Sequence, residues 1–170
     1  LQGNDRSPAS TSDRWVQPGG RPEQPVGLYD YDPRRGAKVP GRLLEGYQGY
    51  LMADGYDGYT ALERTEGVER LACWAHVRRR FVEAVRVQPK GKRGKADEAV
   101  ALIGKLYGIE REYKDASVDG RHLARQKFST PVLAALHAWL EKTQQLIPPK
   151  SAFGTALAYM ANVWSLLPLR

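Results

Sequence analysis

The first half of the chain alternates short apolar runs with turn-forming residues, a pattern typical of short strands. Residues 14–17 and 25–31 are two such runs, and the segment between them is rich in proline and glycine. Two strands joined in this way predict an antiparallel hairpin. Residues 39–47 follow, with Pro40 near their start and an apolar side at helical spacing, which predicts a short helix.

A second strand pattern follows this short helix. Residues 49–53 are apolar without a break, which is typical of a central strand covered on both faces. Residues 56–63 predict a short helix, and residues 68–73 predict the next strand because they stand between a turn-forming glycine and a helical pattern. Strands and helices therefore alternate up to Trp74, and this order predicts an α/β fold.

From Trp74 onward the apolar period is helical. It predicts helices over residues 74–87, 96–116 and 120–128, a fourth that begins at Pro131 with Thr130 as its cap, and a last over residues 151–166. The side chains predicted to face inward are Trp74, Val77, Phe81, Ala84, Val85, Ala96, Val100, Ile103, Leu106, Tyr107, Tyr113, Val132, Leu136, Trp139, Leu140, Ile147, Leu157, Met160 and Trp164. The second half is thus predicted to be an all-helical bundle.

The positive charge of the chain is concentrated in one segment. The formal net charge is +7, and the segment from Arg78 to Lys95 holds eight basic residues and one acidic residue, Glu83. A basic block of this kind favours a polyanionic partner, although a solvated helix face followed by a basic loop has the same pattern. The candidate phosphate contacts are Arg78, Arg79, Arg80, Lys90, Lys92 and Arg93. The alternative for the helical part is a solvent face with one Arg79–Glu83 ion pair.

Cys73 is the single cysteine, which excludes an internal disulfide and fits a reducing compartment. No secretory signal pattern precedes the first strand, and no apolar run approaches the roughly 20 residues of a membrane span. Cys73 and His76 are close in sequence, but a zinc site needs four ligands and no second pair is present. We therefore expect a cytoplasmic protein in which these two residues are structural.

Asp54 is the strongest candidate for chemistry, because it directly follows the apolar run 49–53. Hard cations such as Mg²⁺ prefer carboxylate ligands, and a pair of them can activate an oxygen nucleophile and neutralise a phosphate. Spacing alone favours a simpler role, in which Asp54 caps the helix predicted to start near Tyr56. Turn or solvent positions are more typical of the other acids in this region, Asp30, Asp32 and Asp57.

Six motifs follow one another along the chain. They are YDYDPRR at 29–35, RLL at 42–44, GYLMADGY at 49–56, CWAHVRRRF at 73–81, IGKLY at 103–107 with Glu110, and LHAWL at 136–140. In order and spacing they resemble the insertion-sequence-66 family of bacterial transposases, over a stretch from about Trp15 to the C-terminus. A linked series of motifs is far more specific than any single motif.

The resemblance implies a ribonuclease-H-like core with an Asp-Asp-Glu metal site and a helical insertion between the second and third acids. Asp54 matches the second acid and would bind Mg²⁺ (or Mn²⁺) in the complete site. The family's first Asp lies upstream of Leu1 and its Glu downstream of Arg170. Cys73 and His76 match a family motif of unknown role. The expected architecture is α/β, with a loop or disordered segment over 1–13, a partial ribonuclease-H-like core over 14–88 and a helical insertion over 89–170.

The function implied by the resemblance is metal-dependent DNA strand cleavage and transfer at insertion-sequence ends, in the bacterial cytoplasm. Its partners would be the transposon ends and the target DNA, and a homo-oligomer is compatible with it. Because two of the three acids lie outside the chain, we expect the isolated chain to be inactive. The alternative is a non-catalytic, degenerate remnant that at most binds DNA through the basic block.

Overall fold

The structure is a computed structural model that describes residues 14–16, 28–30, 41–42, 44–53, 65–89, 91 and 93–167. The chain divides into two compact units, Leu1–Arg70 and Leu71–Arg170. Among the described residues, the strands lie mostly in the first unit and the long helices lie in the second. None of the described helices is both long enough and apolar enough to cross a lipid bilayer.

The first two strands form an antiparallel pair. Strand β1 (Arg14–Val16) pairs with β2 (Leu28–Asp30), with Trp15 opposite Tyr29. The predicted antiparallel pairing of these two runs is therefore confirmed, although each strand is only three residues long.

The third and fourth strands form a second pair. Strand β3 (Gly49–Ala53) lies beside β4 (Val68–Ala72). The Gly49 N–H donates to the Gly67 carbonyl at 2.7 Å, so the N-terminal ends of the two strands are side by side and the strands are parallel. The third and fifth residues of each strand are buried. Two parallel strands are the α/β signature that the sequence predicts for this region.

Strand β3 is buried on one face only. Leu51 is buried against Leu44, with Tyr47 and Val68 packed beside them, whereas Tyr50 and Met52 are 56% and 59% exposed. The prediction of a strand covered on both faces was wrong, because Tyr50 and Met52 are apolar yet occupy the uncovered face. The preceding helix is also shorter than predicted, since residues 44–46 form a turn and only residues 41–42 of the described part are helical.

The second unit is built from helices. They are α1 (Trp74–Arg86), α2 (Lys95–Glu112), α3 (Val118–Ala124), a π-helical turn (Arg125–Ser129), α4 (Thr130–Gln144), α5 (Ala152–Val163) and a 3₁₀ turn (Trp164–Leu166). All five predicted helices are present, with their ends shifted by a few residues. Ser151 caps α5 by accepting a hydrogen bond from the Gly154 N–H at 2.9 Å.

The core of this unit is a single apolar cluster. Its buried members are Ala72, Val77, Phe81, Ala99, Ile103, Leu136, Leu140, Ala156, Leu157, Met160 and Val163. Phe81 of α1 is fully buried. Its ring lies 6.1 Å from the ring of Trp139 in α4 and 6.1 Å from that of Phe153 in α5. Three helices therefore meet at Phe81.

The helical period predicts most of the buried face but not all of it. In α4 the buried residue near the start is Leu133, and Val132 is only half-buried. Both residues fit an apolar stripe, and only packing against the other helices selects between them. Tyr107 of α2 was also predicted to face inward, yet it is 40% exposed.

Helices α3 and α4 are joined without a break through the π turn. Ser129 and Thr130 both have helical backbone angles, so the prediction that Thr130 caps a new helix was wrong. Pro131 lacks an N–H, and its ring crowds the preceding helical turn. The wider π turn, in which the Thr130 N–H donates to the Arg125 carbonyl, gives the proline room inside a continuous helical segment.

An ion pair ties the end of α2 to this π turn. Arg125 donates to both carboxylate oxygens of Glu110, through Nε and Nη2, at 2.7 Å each. Such a bidentate pair is among the stronger charged contacts in proteins. The hydrogen bond from Arg125 lowers the pKa of Glu110, and the same bond raises the pKa of Arg125.

Arg125→Ala is expected to lower the free energy of unfolding by less than about 1 kcal/mol at neutral pH, because the pair is partly exposed to solvent. The folded-state pKa of Glu110 lies below its ordinary value of 4.5. The stabilisation is therefore complete above pH 4.5 and is lost as the pH falls through the lower, folded-state pKa. Urea denaturation across this range should show that the difference in free energy of unfolding between wild type and variant disappears in acid. A difference that persists in acid would show that Arg125 acts through packing.

Candidate functional site

Asp54 directly follows β3 in the sequence, and it lies outside the described residues, as do Asp32 and Asp57. Strand β3, which leads to Asp54, is anchored by two hydrogen bonds near its start. Its first residue bonds to Gly67, and the Tyr47 hydroxyl donates to the Tyr50 carbonyl at 2.9 Å. The described part of the site is thus a strand anchored at its start, with Leu51 and Ala53 buried.

A metal site needs several ligands brought together from different elements. Among the described residues, no group of three or more His, Cys, Asp or Glu side chains could hold a metal ion. The carboxylate of Asp54 is the donor type that Mg²⁺ and Mn²⁺ prefer. The roles of Asp54 and of these ions stay predictions.

Cys73 and His76 form the start of α1. Cys73 is an extended, half-buried residue with a free thiol. Its carbonyl accepts from the His76 N–H at 3.1 Å and from the Val77 N–H at 3.3 Å, which opens the helix. His76 is half-buried in the first turn, and its Nδ1 is buried with no hydrogen-bond partner among the described residues. These are backbone contacts that open the helix, and the role of the two side chains stays a prediction.

The three consecutive arginines of α1 are all exposed, but they point in different directions. Successive residues of an α-helix are rotated by about 100°. The Arg80 guanidinium lies over the Tyr159 ring of α5, 5.1 Å from its centre. Arg78 lies on the side of α1 that faces α2, since it precedes by four residues Val82, which lines a groove between the two helices. Arg79 stands between them, on the outer face of α1.

Burial raises the pKa of Tyr107; the nearby Cys73 adds to this rise and Arg78 partly offsets it. Helices α1 and α2 pack against each other and are joined by the short loop 87–94, so the two helices run antiparallel. Early α1 is therefore beside late α2.

Arg79 shares the outer face of α1 with Arg86, seven residues further on. Among the described ion pairs none joins Arg79 to Glu83, so the pair expected in the alternative interpretation of this face is not formed. Arg93 is exposed in the loop that follows, and Lys90 and Lys92 lie outside the described residues. Sequence reasoning counted Arg86 in the basic block but did not select it as a phosphate contact. Its seven-residue spacing from Arg79 was the available signal.

A shallow, mostly apolar groove of about 440 Å³ runs between α1 and α2. It is lined by Val82, Val85, Arg93, Asp97, Glu98, Val100 and Ala101. Asp97 Oδ2 accepts from the Gly94 N–H at 2.8 Å and from Gln88 Nε2 at 3.3 Å. Glu98 accepts from Trp139 Nε1 at 2.9 Å. Both carboxylates at this end of the groove are therefore hydrogen-bonded within the protein.

Comparison with known families decides the identity of the chain. A family model described as "Transposase IS66 family" matches residues 1–169. The chain belongs to the IS66 transposase family. This confirms the family expected from the six motifs, and the match covers nearly the whole sequence.

The IS66 chain is also similar to proteins of Sinorhizobium fredii (strain NBRC 101917 / NGR234). It is 35% identical over 150 residues to the uncharacterized protein y4jD, covering 85% of this chain and 29% of that protein. It is 30% identical over 161 residues to the uncharacterized protein y4hP, covering 87% of this chain and 29% of that protein. The IS66 chain thus spans less than a third of the length of these relatives. No solved structure matches it.

Proposed function

We propose that this chain is the part of an IS66 transposase that contributes Asp54 to a metal-dependent site for DNA strand cleavage and transfer. The observation that carries the proposal is the family match over residues 1–169. It is supported by the parallel pair β3–β4, since Asp54 follows β3 immediately. Residues 14–88 would form a partial ribonuclease-H-like core and residues 89–170 a helical insertion, with a loop over 1–13.

In the proposed chemistry, water hydrolyses one phosphodiester bond at the transposon end and frees a 3′-hydroxyl. That hydroxyl then attacks a target phosphodiester, and the new bond forms as a target 3′-oxygen leaves. Asp54 would hold Mg²⁺ (or Mn²⁺), which when bound neutralises phosphate charge and activates the attacking oxygen. The chain's own contribution is to position that carboxylate. A strand with buried Leu51 and Ala53, bonded at its first residue to Gly67, holds its end in a defined place.

Helix α1 and the loop after it would contact the DNA backbone, at the transposon ends or in the target, in the bacterial cytoplasm. Arg79 and Arg86 on the outer face of α1 are the described residues best placed for this role, with Arg93 beyond the helix. Arg80 is a weaker candidate, because its guanidinium lies over the Tyr159 ring. Phosphate contacts of this kind give affinity without sequence preference.

Strand transfer by the full-length protein, with Asp54 intact and with Asp54→Asn, tests the proposed function. Loss of product with retained DNA binding would support it. Full activity without the carboxylate would refute it.

If Arg79 and Arg86 contact the DNA backbone, the double variant Arg79→Ala/Arg86→Ala should bind duplex DNA more weakly, and its binding should be less sensitive to salt. Each lost phosphate contact should reduce the magnitude of the slope of log affinity against log salt by about 0.9. The slope of the double variant should therefore be smaller by roughly 1.8. Fluorescence anisotropy of a labelled duplex over a salt series measures both quantities.

The matched control for this experiment is Lys142→Ala/Lys150→Ala, which removes the same charge from two exposed positions on other parts of the helical unit. A specific contact face predicts that the control keeps the wild-type slope. Equal losses in both double variants would mean that net charge alone attracts DNA and that α1 has no special part.

A further inference from the structure

We propose that the groove between α1 and α2 binds an unpaired DNA strand, with one base against Tyr107 and phosphates at Arg78 and Arg111. This rests on the proposed function, since it names the form of DNA that the helical unit recognises. Three features of the groove support this occupant: its continuation along both helices, its floor and its charge.

Beyond the residues that line the groove, the same faces of α1 and α2 continue to an aromatic ring and two cations. Arg78 precedes Val82 by four residues and so shares its face of α1, while Tyr107 follows Val100 by seven residues on the face of α2 that lines the groove. The Tyr107 side chain is 40% exposed although its neighbours Ile103 and Leu106 are buried. Arg111 is exposed and follows Tyr107 by four residues, which makes the two side chains neighbours on the helix surface.

The floor of the groove is apolar and open. Val82 and Val85 of α1 face Val100 and Ala101 of α2. Further along α2, an added Cβ at Gly104 or Gly108 would meet nothing within 4 Å, so space continues in that direction. A floor of this kind offers few groups to phosphates, but it can cover the flat faces of bases.

Base faces are accessible only in an unpaired strand. A duplex hides them in its stack and presents phosphates and groove edges instead, whereas single-strand sites combine cationic side chains with aromatic surfaces. The α1–α2 groove has this combination. The outer face of α1, with Arg79 and Arg86, has the charge but lacks the exposed aromatic ring.

The charges along the groove determine at which end the phosphates of the strand lie. Asp97 and Glu98 lie at the end near the α1–α2 loop, and although both are hydrogen-bonded they remain acidic side chains that disfavour phosphate. Arg93 is exposed at the same end. At the other end the face of α2 reaches Arg111, and the neighbouring carboxylate of Glu110 is held by Arg125, so the phosphates belong there, beside Arg78 and Arg111.

The test compares a labelled oligothymidine strand with a duplex of equal length, both titrated with the intact chain by fluorescence anisotropy. Stacking of a base on an aromatic side chain contributes substantially to the binding free energy, so Tyr107→Ala should weaken single-strand binding by at least about fivefold. Duplex affinity should change by less than about twofold, because Tyr107 contacts no base in a duplex. Tyr107→Phe should bind like wild type, since it keeps the ring.

Two further variants separate loss of the site from loss of the fold. Ala101→Glu puts a carboxylate on the groove floor from an exposed position, and it should also weaken single-strand binding selectively. Phe128→Ala removes a ring of similar exposure, 38%, that stacks on Tyr113, and it should leave single-strand binding unchanged. A strand carrying 5-iodouracil should cross-link to Tyr107 on irradiation.

The inference is overturned if Tyr107→Ala leaves single-strand affinity unchanged, or if it weakens single-strand and duplex binding equally. The first result would be expected if the groove instead takes an apolar segment of a protein. Duplex binding that depends on Arg79 and Arg86, without any effect of Tyr107 on the single strand, would refute this inference and leave the proposed function standing. Absence of salt-dependent binding to either DNA form would refute both this inference and the proposed DNA contacts of α1.

Discussion

Replacing Asp54 with Asn in the full-length transposase is expected to lower the rate of DNA strand transfer by at least about 1,000-fold, or roughly 4 kcal/mol in activation free energy. Asn has nearly the same shape as Asp but lacks the negative charge that holds a hard divalent cation. Loss of that charge should remove the stabilisation of the phosphate and the activation of the attacking oxygen together. Joined DNA products, resolved on a gel with Mg²⁺ and then with Mn²⁺, measure the effect.

Asp57→Asn is the matched control for this prediction. It makes the same chemical change three residues later, between glycines that suit a solvated turn. Its strand-transfer rate should stay within a few-fold of wild type. If Asp54→Asn also keeps most of its activity, Asp54 is not a metal ligand. If the two variants lose activity equally, the segment is sensitive to substitution in general, and Asp54 has no distinct role.

Phe81→Ala is expected to destabilise the helical unit by about 3–5 kcal/mol, the usual cost of emptying a large buried aromatic site. Phe81 is fully buried, and its ring contacts Trp139 and Phe153 from two other helices. A cavity at this point would loosen α1, α4 and α5 at once. For a chain of this size the melting temperature should fall by roughly 6–20 °C. Urea and thermal unfolding, followed by far-ultraviolet circular dichroism, report the change directly.

Leu123→Ala is the control for this second prediction. Leu123 lies in α3 and is 67% exposed, so its truncation should change stability by less than about 0.5 kcal/mol. A loss below about 1 kcal/mol for Phe81→Ala would show that the site can collapse around the missing ring. In that case Phe81 is not the point that joins the three helices.

The helices were predictable because their cause is local. Val77, Phe81 and Ala84 recur at helical spacing, and the core places all three on the buried side of α1. The pairing of β1 with β2 was predictable for a similar reason, since short apolar runs separated by proline and glycine favour a return of the chain. The family itself was predictable from the six motifs, because a motif series is a property of the sequence alone.

Other features depend on contacts between residues distant in sequence. An unbroken apolar run could not show that Tyr50 and Met52 would lie on an uncovered face of β3. Val132 and Leu133 fit the same stripe, and the surrounding helices decide which is buried. Pro131 and Thr130 resemble the start of a helix, yet the π turn absorbs the proline within a continuous helical segment.

The basic run on α1 shows most clearly where sequence reasoning stops. The sequence established that Arg78, Arg79 and Arg80 are adjacent, that a basic loop follows them, and that Asp54 comes directly after a strand. It could not divide the three arginines among different surfaces. Rotation around α1 turns Arg80 toward Tyr159 and Arg78 toward the groove beside α2, and it leaves Arg79 with Arg86 on the outer face. That division depends on which helices flank α1, and so it is a property of the packed unit.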